Sequence, residues 1–233
     1  MKLKNLLCVL LVLLMTISLA ACGGSDDRTQ AGTDDKTQAG TNEAPKSESG
    51  KVPDVITEDY LLSLPENDPA DFTFSSEGDG LRIDTYVGSD TVVVVPATVD
   101  GKPVVSTAYG VFGGAIGSKV RAVRFPDTVV KLTGTFALNE NIEIVVCRGL
   151  EVCGDMAFGQ CPKLRTIVFG DELNTIEANS IILCDSLEEV YIAPGVTKIS
   201  WCFDDCPKLT IVGQAGSYAE QYAKDNNIPF RAQ

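Results

Sequence analysis

From residue 120 onward the apolar positions of the chain fall into columns. Val120-Arg-Ala-Val123-Arg-Phe125, Ile142-Glu-Ile-Val145-Val-Cys147, Leu164-Arg-Thr-Ile167-Val-Phe169, Leu187-Glu-Glu-Val190-Tyr-Ile192 and Leu209-Thr-Ile-Val212 begin 22, 22, 23 and 22 residues apart. A second apolar pair follows each of the first four: Val129 and Leu132, Leu150 and Cys153, Leu173 and Ile176, Val196 and Ile199. A third anchor then recurs as Phe136, Phe158, Ile181 and Phe203. The opening segment of each unit is β-branched or aromatic at its inward places, which predicts a short strand. A unit of this size cannot bury its own apolar side, so the units must stack and share one core as a solenoid. Stacked in register at ~4.8 Å, five such strands make a parallel sheet about 20–25 Å long. Pro126, Gly170 and Pro194 close three of them, where a missing donor or a turn is tolerated.

The two ends of a solenoid expose strand edges and open core, and both flanks carry segments fit to cover them. Residues 72–95 alternate as strands around a Glu77-Gly78-Asp79-Gly80 turn, and residues 54–64 read as a short helix ended before Pro65. At the other end, residues 216–225 predict a helix whose Tyr218, Tyr222, Ala219 and Ala223 lie over the last coil. Ile228 and Phe230 complete that plug.

The unit Leu187-Glu-Glu-Val190-Tyr-Ile192-Ala-Pro194-Gly-Val196-Thr-Lys-Ile199-Ser-Trp-Cys-Phe203-Asp-Asp-Cys206 resembles the BspA-type leucine-rich repeat of bacterial surface proteins. Residues 71–112 resemble that family's N-terminal cap and first repeat, Gly216 to Phe230 resembles its closing segment, and the similarity covers 71–230. Two positions depart from the pattern: Asn139 stands where other units have cysteine, and Ile181 where phenylalanine is usual. The expected fold is mostly β: a leucine-rich-repeat solenoid with one parallel strand per repeat of ~22 residues, an N-terminal β cap and a short C-terminal capping helix. The resemblance implies display on a bacterial surface and engagement of proteins or neighbouring cells, and its members are not known as enzymes.

The front of the chain is of a different kind. Lys2 and Lys4 precede an almost wholly apolar run over residues 6–19, then Leu19-Ala20-Ala21-Cys22. A basic head, a short apolar stretch and small residues before a cut mark a secretory signal. The ending resembles the bacterial lipobox, which implies cleavage after Ala21 and a lipid on Cys22. An ordinary signal with a chance cysteine, or an uncleaved anchor, is the alternative. Asp26-Asp27-Arg28-Thr29-Gln30-Ala31-Gly32-Thr33 is repeated nearly verbatim over residues 34–41, and nothing between residues 23 and 50 is large and apolar. Such a stretch predicts a disordered acidic tether. The expected division is a signal peptide (1–21), the lipidated cysteine with its tether (22–50), an N-terminal cap (51–91), the solenoid (92–213) and a C-terminal cap (214–233). Net charge of -13 argues against nucleic acid as a partner.

Candidate chemistry is sparse. The chain has no histidine, so a cysteine or serine nucleophile would lack its usual base. Six cysteines remain after Cys8 and Cys22 are set aside, and each falls on a repeat column. Cys147 matches Phe125 and Phe169, Cys153 matches Leu132 and Ile176, Cys202 matches Thr135 and Ala157, and Cys161, Cys184 and Cys206 share a column. Core packing is the preferred reading over disulfides or a zinc site at Cys202 and Cys206. The Gly110–Lys119 loop lacks the ending of a phosphate loop and reads as a flexible connection between coils. Asp204-Asp205 reads as solvated charge. No enzyme, metal or cofactor is expected.

The outward strand positions are the candidate binding face. One column, Arg121, Glu143, Arg165 and Glu188, reads as a cross-strand charge ladder. The next, Arg124, Val146, Val168 and Tyr191, with Ile144 and Ile211 outside another, has the composition of an interface core. A loop or the N-terminal cap covering that strip is the equal alternative. The functional expectation is a monomeric lipoprotein, anchored through Cys22 and probing extracellular or cell-surface proteins. An envelope scaffold docking another bacterial surface protein is the second reading, and a small-molecule receptor or hydrolase the third.

Overall fold

In the computed structural model, residues 51–114 and 118–233 are described. The expected signal peptide, Cys22, the expected tether and the centre of the Gly110–Lys119 loop lie outside the described residues.

The expected solenoid is present, and it is longer than five strands. Its main sheet is parallel throughout and ordered Val92–Val94, Ala122–Arg124, Ile144–Cys147, Thr166–Phe169, Glu189–Ile192, Thr210–Gly213 and Phe230–Ala232. Val93, Val123, Val145, Ile167, Val190 and Ile211 form the inward column and are all buried. A second sheet, of two-residue strands, stacks Lys131–Leu132, Val152–Cys153, Thr175–Ile176 and Lys198–Ile199. At the third corner Phe112, Phe136 and Phe158 stack face to face, with centroids 5.5 and 5.4 Å apart. Ile181 continues that column, fully buried, so the loss of an aromatic there leaves the corner filled. Phe112 is an anchor that the repeat columns did not include; it belongs to a further coil ahead of residue 120.

One register differs from the spacing. Leu209 to Val212 aligns by eye with Leu187 to Val190, but the strands pair Val190 with Ile211 and Tyr191 with Val212. A slip of one residue sends every side chain to the other face. Ile211 is therefore a core residue, not an outward one, and Val212 takes the outward place beside Tyr191.

Both ends are capped. At the N-terminal end the hairpin Phe72–Glu77 and Gly80–Tyr86 turns at Gly78, in the left-handed region at φ 57°. Its second strand pairs in parallel with Lys102–Thr107, and Phe72, Ile83 and Val104 close the core. The free edge of Val92–Val94 is met by one asparagine. Asn67 donates its backbone N–H to the Val94 carbonyl at 2.8 Å, and its side-chain oxygen accepts from the Val94 N–H at 2.8 Å. At the C-terminal end a helix over Tyr218–Asp225, capped by Ser217, lays Ala219, Tyr222 and Ala223 on the last coil. Tyr218 stands largely exposed, outside the face expected of it. Tyr222 makes the plug: its hydroxyl donates to the carbonyls of Ser200 and Cys202 at 3.3 and 3.2 Å. Phe230 is part of a seventh main-sheet strand rather than a plug alone.

The six cysteines are free thiols, five of them buried. Cys161 and Cys184 donate to the carbonyls of Phe136 and Phe158, one coil earlier, at 3.2 and 3.1 Å. Asn139 occupies the same place in the second repeat. Its amide donates to the Phe112 carbonyl while its oxygen accepts from the N–H groups of Asn141 and Ile142 at 2.7 and 2.8 Å. The departure from cysteine thus keeps the coil-to-coil hydrogen bond and adds a turn. Burial pushes the Cys147 and Cys153 thiols up, and carries Cys202 to about 12. The residue before this column is left-handed in each coil: Leu138, Gln160, Leu183 and Asp205 have φ between 52° and 63°.

Two outcomes follow for stability. Phe158→Ala removes a ring held between Phe136 and Phe169 and should cost about 3–5 kcal/mol, read as a large fall in melting temperature. The thiols impose a pH dependence of definite sign. An unfolded thiol ionises near pH ~8.5, while the folded ones stay protonated beyond it. The unfolded state then binds fewer protons, so stability is intact below about pH 8.5 and falls as pH rises above it. The slope is up to ~1.4 kcal/mol per pH unit for each buried thiol. Melting temperatures between pH 7 and 10.5 test this; Cys147→Ala with Cys202→Ala should flatten the alkaline fall, and an unchanged slope would refute it.

Candidate functional site

The outer face of the main sheet carries two columns of side chains. Val92, Ala122, Ile144, Thr166, Glu189 and Thr210 form one; Val94, Arg124, Val146, Val168, Tyr191 and Val212 form the other. In an antiparallel sheet with one wet side these places would be polar, but here most are aliphatic, so the face is built to be covered.

Half of it is. The segment ahead of the N-terminal cap crosses this face as the short helix α1, Glu58–Ser63. Thr57 caps it, accepting from the Tyr60 N–H at 3.3 Å, and Glu58 and Asp59 place negative charge in its first turn. Leu61 is completely buried and Ile56 nearly so, in one cluster with Val92, Ala122, Ile144 and Val146. Arg121 and Arg148 fasten the segment. Arg121 donates to the Asp54 carbonyl at 3.1 Å, and the Arg148 Nε donates to Glu58 at 2.9 Å.

The four residues of the sequence-derived strip are therefore treated unequally. Val146 is 2% exposed beneath α1 and is no part of an open surface. Arg124 is half-buried at the same edge, its Nε without a partner and its terminal nitrogen 3.5 Å from the Leu64 carbonyl. Val168 and Tyr191 remain partly open. Ile144 is buried under α1, and Ile211 faces the core. The covering segment, left open as an alternative in the sequence, takes the first three strands and stops.

Beyond α1 the face opens into a shallow hollow of about 560 Å³. Half-open Val168 and Tyr191 and the buried Val212 make its floor, with Glu58 and Arg148 at one side, Arg231 at the other, and Asp171 and Glu189 also in its lining. Val168 also packs against the α1 cluster, so floor and covered half are continuous. Arg231 pairs with Glu189 at 2.7 Å, both more than half exposed. The charge ladder runs as expected through its first three members: Glu143 receives Arg121 at 2.7 Å and Arg165 at 3.1 Å. Its hydrogen bond raises the Arg121 pKa further. Of the seven arginines in this acidic chain, Arg121, Arg124, Arg148, Arg165 and Arg231 all border this one face. Arginine and tyrosine around an aliphatic floor is the composition of protein-binding hot spots.

Reactive chemistry is harder to build. The buried thiols are held protonated, the reverse of what a nucleophile requires. Among the described residues no group of three His, Cys, Asp or Glu side chains could hold a metal ion. Val212, Arg148, Arg231 and Glu58 were missed as face residues in the sequence. Val212 was hidden by the register slip. The Glu58–Arg148 pair joins residues 90 apart, with no spacing to announce it.

Comparison with known proteins points the same way. Residues 115–217 match the model of the BspA type leucine rich repeat region, in six copies. A leucine-rich repeat protein of T. pallidum is 26% identical with a TM-score of 0.50, over 64% of this chain and 71% of that one. A leucine-rich repeat protein from Bacteroides ovatus, 22% identical with a TM-score of 0.50, matches 61% of this chain and 45% of its own length. No curated protein matches the sequence. Repeat period, stacked parallel coils and six matched copies agree: residues 115–217 are a BspA-type leucine-rich repeat region.

Proposed function

We propose that this chain is a surface-displayed protein-binding module, held at the membrane by lipid on Cys22, whose open sheet face receives a partner protein. The observation that carries the reading is the uncovered half of the sheet face, where half-open Val168 and Tyr191 lie beside the buried Val212, with Arg148 and Arg231 at the rim. An apolar floor of this kind is costly to leave in water and is normally matched by a partner. The repeat family supports the same reading, since BspA-type proteins are bacterial surface proteins and their repeats are typically non-enzymatic interaction scaffolds. Among the described residues no helix is long and apolar enough to cross a membrane; the anchoring role is read from the resemblance of Leu19-Ala20-Ala21-Cys22 to the lipobox. The net charge of -13 turns the surface away from nucleic acid and anionic lipid.

Two experiments test the two halves of this reading. Cys22→Ala should abolish incorporation of labelled fatty acid and release the chain from the membrane fraction; intact labelling of that variant would refute the anchor. For the binding face, the tagged full chain is offered to host matrix proteins and, separately, to the cell's own envelope extract. Tyr191→Ala should weaken capture of the recovered partner by about 2 kcal/mol or more, with little change in melting temperature. Undiminished affinity in a well-folded Tyr191→Ala variant would place the site elsewhere.

A further inference from the structure

We propose that the solenoid carries a second site, apart from the open sheet face, where a row of residues from Tyr109 to Trp201 binds an uncharged oligosaccharide. This site is independent of the protein-binding face and stands or falls without it.

The row lies just past the second sheet, where each coil turns toward the phenylalanine corner. Backbone bonds hold its members on successive coils. The Gly110 N–H donates to the Gly134 carbonyl at 3.0 Å, the Gly134 N–H to that of Asp155 at 2.9 Å, and the Asn179 N–H to that of Trp201 at 2.9 Å. The Asn179 amide closes the remaining step, donating to the Asp155 carboxylate at 3.1 Å. Coils stack ~4.8 Å apart, so Gly134 and Trp201 stand about 14 Å from one another. Tyr109 is 60% exposed, and its ring lies against Gly134, where an added Cβ would collide with it. Trp201, the single tryptophan of the chain, is 49% exposed. The equivalent places in the other coils hold Gly134, Asp155 and Ala178, so stacking asks for no aromatic at Trp201.

A bare ring at each end with hydrogen-bonding groups between them is the complement of a sugar chain. A pyranose presents C–H groups on its flat face and hydroxyls around its rim. Tyrosine and tryptophan offer large, rigid apolar faces at little cost in side-chain entropy. Between the rings Asp155 and Glu177 supply acceptors for hydroxyls, and Asn179 both donates and accepts. These groups are already held in place. Glu177 accepts from the Asp155 N–H at 3.2 Å and meets Lys131 at 3.7 Å, while Asn179 ties the Asp155 carboxylate. Asp155 is exposed and Glu177 and Asn179 half-exposed, so the stretch between the rings is polar and lacks the apolar core of a protein interface. Charge selects among glycans. Lys131 offsets Glu177, which leaves the Asp155 carboxylate, in a chain of net charge -13, to turn away uronic acids, sialic acids and phosphate-bearing polymers. Burial, and then that same carboxylate, hold the Tyr109 hydroxyl above its usual pKa and keep it a protonated donor at the edge of its ring.

The test offers the tagged full chain, in a detergent without a sugar headgroup, to an array of neutral and anionic oligosaccharides. Neutral oligomers should be retained, more strongly as their length increases, and anionic ones should not. Because Trp201 is the sole tryptophan, fluorescence should shift to shorter wavelength as the best-retained neutral oligomer is added. Trp201→Ala should lower retention at least tenfold, and Tyr109→Ala and Asp155→Ala several-fold, all with melting temperatures near that of the wild type. Trp201→Phe, which keeps a ring, should recover much of the loss. Tyr191→Ala, on the other face, should retain the same oligomers unchanged, which separates failure of this site from failure of the protein-binding face. Retention of no neutral oligomer, a preference for anionic ones, or full retention by a folded Trp201→Ala variant would overturn the proposal. Capture of a surface protein through Trp201 with no oligosaccharide bound would overturn it as well.

Discussion

Coil-to-coil register is the constraint from which the rest of the molecule follows. No single unit of ~22 residues encloses a core, so each side chain is buried only by its counterpart one coil away. The backbone enforces this: strands pair at equivalent positions through six successive main-sheet steps, and a second ladder of two-residue strands repeats the condition on another side. Once the coils are in register, like meets like. Valine stacks on valine, phenylalanine on phenylalanine, and a thiol or an amide reaches back to the carbonyl of the coil before. The left-handed residues ahead of that column recur for the same reason, since a turn set in one coil must be matched in the next. Each costs local strain of order 1 kcal/mol, which the stacked core offsets.

The same constraint creates the outer face. A parallel sheet built by stacking has two sides, and only one can face the solenoid interior. The other is aliphatic over its first three strands and mixed beyond them, where Thr166, Glu189 and Thr210 share it with Val168, Tyr191 and Val212. Six residues of helix are far too few to persist alone in water. α1 exists because Leu61 and Ile56 find those aliphatics, each contributing roughly 1.5–3 kcal/mol on burial. Cover and floor therefore stabilise each other, and where the cover ends the floor is available to something else.

Much of the fold was legible because periodicity is a property of sequence. Three columns at one spacing fix the solenoid, the cysteines as column members, and the closing helix with Tyr222 on its inner side. Legibility failed where a choice was degenerate or distant. Leu209-Thr-Ile-Val212 offers two adjacent β-branched residues, either of which could face inward, and the pairing of Val190 with Ile211 settles a choice that composition leaves equal. Phe112 sits in a coil interrupted by the Lys102–Thr107 strand, so the spacing that betrays its neighbours is broken. The division of the outer face depends on contacts between residues 52–64 and strands about 30 to 90 positions later, and pattern alone does not carry such distances. It showed which residues point outward, but not which of them α1 hides.

Asn67 and α1 together decide how the molecule answers a pull. Tension applied through the chain before residue 51 enters the fold at Val52 and Ile56, across the sheet face rather than along the strands. Loaded this way, the segment comes off one contact at a time, like adhesive tape lifted from an end: first the hydrogen bond from Arg121 to the Asp54 carbonyl, then the ion pair of Glu58 with Arg148. The solenoid is shielded while this happens, because Asn67 holds the edge of Val92–Val94 by two hydrogen bonds placed after the peeling segment. A modest force would thus uncover the buried half of the aliphatic face and leave the coils intact, making the exposed width of the face a function of load.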